Sequence, residues 1–183
     1  MKLHLFAAAM MLLVLSCKTI EPNRNERKVE RKNSKKADKG VLDKDVADFL
    51  VAAADSRLMG IKQGKLAAKR GNSESTRQYG KYMEDEQEQL LKEIKKLAKE
   101  RKVTLPNKIS AEKEDGLNTL EEKSGKAFDR KFYKMMKIDH KRDIKSFKNA
   151  SELGDAGITA FTDLKLPLLQ THLDKLKSAK KSK

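Results

Sequence analysis

"FLVAAADSRLMGIKQGKLAAKRG" (residues 49–71) decides the fold class. Val46, Phe49, Leu50, Ala53, Ala54, Leu58, Ile61 and Ala68 recur at intervals of three and four, which is the spacing of one helix face. The stretch predicts a helix from Leu42 to Arg70, stopped by Gly71 and Asn72. Gly60 and Gly64 form a G-x-x-x-G, a mark of close helix approach in a soluble bundle. Working outward, the pattern repeats. Ser73 or Ser75 can cap a second helix running to Lys102, with Tyr79, Met83, Leu90, Ile94 and Leu97 inward. "VTLPNKIS" breaks the periodicity at Pro106, and a short helix from Ser110 to Glu122 follows. A third long helix spans Ala127 to Glu152 on a stripe of Phe128, Phe132, Met136, Ile144, Phe147 and Ala150. The last runs from Ile158 to Ser178, with Pro167 expected to kink or restart it. The expected fold is all-α: a ferritin-like antiparallel four-helix bundle over residues 41–178, with a short extra helix in its long middle connection and a basic tail at 179–183.

Composition agrees. Charged residues make up 38% of the 183, there is no Trp, and 42 Lys and Arg stand against 27 Asp and Glu. The net charge of +15 favours anionic partners without naming one. Nucleic acid is not expected, because recognition motifs and interleaved aromatics are lacking and the start of the chain reads as an export signal.

That start, "MKLHLFAAAMMLLVLSC", has one Lys, an apolar run from Leu5 to Leu15, then Ser16 and the single cysteine, Cys17. The run is too short for a mature membrane span and reads as a signal peptide over residues 1–16. "VLSC" resembles the lipobox of bacterial lipoproteins, which implies acylation of the Cys17 thiol (diacylglyceryl and palmitate-type chains) and cleavage before it. Several acyl chains give stable anchoring where one does not. Residues 17–40 then read as the lipidated cysteine plus a disordered basic tether, too poor in apolar residues to repay ordering and able to hug an anionic envelope surface. Lys18 stands where Asp often retains lipoproteins at the inner membrane, so the expectation is the outer membrane, periplasmic or surface-facing.

Polar residues also fall on apolar stripes. Glu86 lies three beyond Met83 and four before Leu90; His140 lies between Met136 and Ile144, with Asp139 beside it; His172 shares a face with Leu169 and Leu176. "YGKYMEDEQEQL" and "YKMMKIDHKRDI" also align as an approximate repeat, pairing Tyr79 with Tyr133, Asp85 with Asp139 and Glu86 with His140. Inward carboxylates and imidazoles from facing helices can hold a metal, so Glu86, His140, His172, Asp139 and Asp85 are candidate ligands for zinc, iron or manganese. Zinc could take His140, His172, Glu86 and a water. The Glu-x-x-His of di-iron bundles is absent, and the same residues could instead hydrogen-bond one another and set helix register.

From "FLVAAADSRLMGIKQGKLAAKRG" through "VTLP", "FDRKFYKMMKIDH" and "LPLLQTHL", about residues 45–178, the chain resembles the bacterial domain-of-unknown-function family 4142, ferritin-like envelope proteins. The resemblance implies a glutamate four before the "GKLA" glycine, where this chain has Gly60, and Asp-His where it has Asp85-Glu86. Asp139-His140 and His172 keep the family's types. The function expected is a non-catalytic, membrane-anchored envelope lipoprotein with an interaction or structural role. The alternative is a metal-binding bundle in envelope stress protection. No Walker loop, nucleophile elbow or dinucleotide fingerprint occurs.

Overall fold

The computed structural model describes residues 20–181, and the expectations for the signal peptide and Cys17 lie outside the described residues. Among those residues the chain forms six helices and no strand: α1 (Arg24–Ala37), α2 (Lys44–Arg70), α3 (Glu74–Glu100), α4 (Ala111–Glu121), α5 (Gly125–Ala150) and α6 (Ala156–Lys181). Side chains start most of them. Asp43, Ser73 and Ser110 each accept from a backbone N–H of the first turn of α2, α3 and α4.

Two antiparallel hairpins, α2–α3 and α5–α6, pack face to face, α2 on α5 and α3 on α6. Their sense follows from the ends. Asp129, near the start of α5, accepts from the backbone N–H groups of Asn72 (2.9 Å) and Ser73 (3.0 Å) in the α2–α3 turn. At the other end, Arg101 after α3 grips Asp155 before α6 at 2.8 and 2.6 Å. The chain therefore returns the full length of the bundle between Glu100 and Gly125 and enters α5 parallel to α3. One long crossover is the ferritin-like connection. It climbs along α2, where Asp55 meets Ser110 and Lys113 and Arg70 meets the carbonyls of Glu121 and Lys123.

Two expectations are corrected. The segment read as a disordered tether is helical over Arg24–Ala37. Asn23 and Glu26 form a reciprocal capping box, Val29 and Asn33 are buried, and the Asn33 amide both donates to and accepts from the backbone of Thr104 (2.9 and 2.8 Å). Side-chain amides on the crossover backbone, more than apolar burial, hold it there. Second, the last helix does not restart at Pro167: α6 continues through it. Proline withholds a donor from the Asp163 carbonyl, but both residues are exposed, so water can serve that oxygen.

Candidate functional site: a polar layer across the bundle

The core is apolar at both ends and polar in the middle. One cluster gathers Leu50, Ala54, Leu90, Ile94, Phe147, Ile158 and Leu169; the other gathers Ala67, Met83, Phe128, Phe132, Met136, Leu173 and Leu176. Between them lie buried Arg57 and Gln63 from α2, Gln87 from α3, His140 and Asp143 from α5 and His172 from α6.

Arg57 and Asp143 form a buried ion pair through Nη2 and Oδ2. The Tyr79 hydroxyl lies 2.8 Å from His140 Nε2 and 3.1 Å from the His172 carbonyl, so its single proton serves one of the two. His172 Nε2 meets the Glu86 carboxylate at 3.2 Å. The two rings lie 5.7 Å apart, each reaching its partner through Nε2. Burial, then the neighbouring His172 and the Arg57 charge, push His140 down to about 3. Burial lowers His172 too, against the opposing pull of Glu86. Both are neutral at pH 7. Burial raises Tyr79, and burial with the Glu86 charge pushes Tyr82 up to about 12.

The candidate ligands thus divide. Glu86, His140 and His172 do come together. Asp139 faces α2, accepting from Gln63 Nε2 at 3.1 Å, and burial raises its carboxyl. Asp85 points outward, exposed and paired with Lys81 at 2.9 Å, so its inward placement is corrected. It lies two positions beyond Met83, about 200° round the helix, while the inward place four beyond Met83 belongs to Gln87.

The layer's charge weighs against a resident metal, although Nδ1 of His140 and Nδ1 of His172 are both buried with no hydrogen-bond partner among the described residues. The buried Asp143 carboxylate is taken by Arg57, whose fixed charge opposes a second cation. Among the described residues no group of three or more His, Cys, Asp or Glu is placed to hold an ion. Gly60 has a related explanation: a Cβ there would stand 2.8 Å from Gln87 Cγ, so the glycine makes room for an amide.

Sequence reading missed Arg57, Gln63, Gln87 and Asp143. A signal existed. Val46, Leu50, Ala53, Arg57, Gly60, Gly64 and Ala67 alternate steps of four and three without a break, as do Met136, His140, Asp143, Phe147 and Ala150. Each line passes through one member of the ion pair.

One family model matches the chain, over residues 31–179: the domain of unknown function DUF4142. No curated protein and no solved structure matches it.

Proposed function

We propose that this chain, which belongs to the DUF4142 family, is a lipid-anchored envelope protein whose bundle serves as a non-catalytic interaction or structural module. The observation that carries the second half is the buried Arg57–Asp143 pair at the centre of the layer, where a ferritin-like bundle would hold its reactive group. A desolvated guanidinium matched to a carboxylate closes the bundle and fixes the register of α2 against α5. Beside the pair, His140 reaches α3 through Tyr79, and His172 of α6 reaches α3 through Glu86. Three surface grooves among the described residues, between α1 and the crossover, between α1 and α2, and beside the start of α2 and the end of α5, are lined by other residues.

The first half rests on "VLSC" at residues 14–17. No described helix is long and apolar enough to cross a membrane, so attachment in this reading falls to Cys17. The test is metabolic labelling with a clickable fatty acid, followed by membrane fractionation. Label and outer-membrane recovery should both vanish in Cys17→Ala; label that persists would end the lipid reading, and recovery with the inner membrane would correct the sorting.

A further inference from the structure

The helix in the supposed tether builds a surface that a disordered spacer would not. Arg24, Arg27, Lys28 and Arg31 of α1, Lys62 of α2 and Lys108 of the crossover line a groove of about 1290 Å³, with Glu114 its one acidic residue. Among the described residues none of these six cations makes a salt bridge. Lys81, Lys113 and Lys165, by contrast, each hold a carboxylate within 3 Å. Val29 and Asn33 keep the opposite face of α1 against the protein, so the basic side chains are held outward as a fixed array.

Chain length places the array. The Asn23 cap lies only six positions beyond Cys17, a reach of about 20 Å fully extended. We infer that this groove is a docking surface for the anionic phosphate headgroups of the bilayer that holds the chain, orienting the bundle with α1 against the membrane. The inference rests on the Cys17 anchor proposed above. Acyl chains and a polybasic patch are complementary signals: one fixes the distance to the surface, the other the orientation, and the second is screened by salt.

The acylated full chain, reconstituted in vesicles, carries the test. Cys17 is the single cysteine, so a fluorophore on Lys32→Cys reports α1 alone. Vesicles are phosphatidylcholine, with or without phosphatidylglycerol, and carry a headgroup quencher. Expected is quenching only with phosphatidylglycerol, reversed by salt. Contact should weaken on the order of 100-fold in Arg24→Gln/Lys28→Gln/Arg31→Gln, which removes three charges, and stay unchanged in the control Lys141→Gln/Lys145→Gln/Lys148→Gln on α5. Equal quenching in both vesicles, or equal loss in the control, overturns the inference by reducing it to proximity or bulk charge. Tighter binding of an oligonucleotide or acidic peptide than of anionic vesicles overturns it in favour of that partner. Flotation separates the two readings. A chain that floats with neither vesicle refutes the anchor; one that floats with both but is never quenched refutes the groove alone.

Discussion

The two hairpins of the bundle are closed by opposite means. In α2–α3 the backbones touch: a Cβ at Gly64 would stand 2.8 Å from Gly80 O and Glu84 N, and one at Gly80 would stand 2.6 Å from Ala68 N. In α5–α6 bulk fills the seam. Phe147 packs on Phe161 at 5.7 Å between ring centres and on Phe49 of the facing hairpin at 5.3 Å. The difference teaches what each seam can tolerate. A glycine seam is full and breaks when an atom is added; an aromatic seam breaks when atoms are removed. The polar layer, where the hairpins face each other, obeys neither rule, because its failure mode is an unpaired charge.

The comparison can be broken in order of size. Phe147→Ala should cost about 3–5 kcal/mol in denaturant unfolding, from lost transfer energy and a cavity; a loss near zero would mean that the aromatic seam collapses freely. Arg57→Leu and Asp143→Leu should each cost about 3–5 kcal/mol by stranding a buried charge. The double variant should recover most of that loss, and a double-mutant cycle that instead proves additive would show the pair is not coupled.

Acid supplies the next test. His140 is held down to about 3 by burial, against an ordinary value of about 6.5 for an exposed imidazole. Between those values the unfolded chain binds a proton that the folded chain refuses, so stability is present above about 6.5 and drains away as pH falls towards 3. His140→Gln should flatten the melting temperature over that window, and an unchanged slope would place the acid sensitivity elsewhere. Smaller again, Gly80→Ala should cost about 1–3 kcal/mol by overpacking. Gly116→Ala in α4, whose Cβ would meet nothing closer than 3.8 Å, should stabilise by about 0.5–1 kcal/mol. Equal effects at the two glycines would erase the distinction between a packed seam and an open helix face.

These contrasts also explain what could be read from the chain. The long helices were legible because their apolar stripes and a capping serine are local signals: Ser73 caps where expected, and the G-x-x-x-G does mark close approach. The layer was half legible. Leu58, Ile61 and Ile144 drew the stripe towards apolar residues, yet all three are only half-buried, while Arg57 and Asp143 one position away are inside. Charged residues are rarely buried, so a stripe drawn by polarity steps around them. Only strict spacing finds them, and only a partner 86 positions away makes their burial tolerable. Helix α1 was missed for another reason. Its docking depends on amides meeting the backbone of residues 104 and 109, a tertiary interaction with no local trace beyond Asn23 and Glu26.

In the proposed reading, the guanidinium of Arg57 closes the layer in place of a metal. Melting of the full chain and of Arg57→Met, each with and without zinc, manganese or ferrous iron, tests it most directly. No metal-dependent shift is expected for the wild-type chain, with any stabilisation confined to Arg57→Met, where His140, His172, Glu86 and a released Asp143 would be free of the cation. A rise in the wild-type melting temperature with metal, abolished by a chelator and by His140→Ala/His172→Ala, would contradict it.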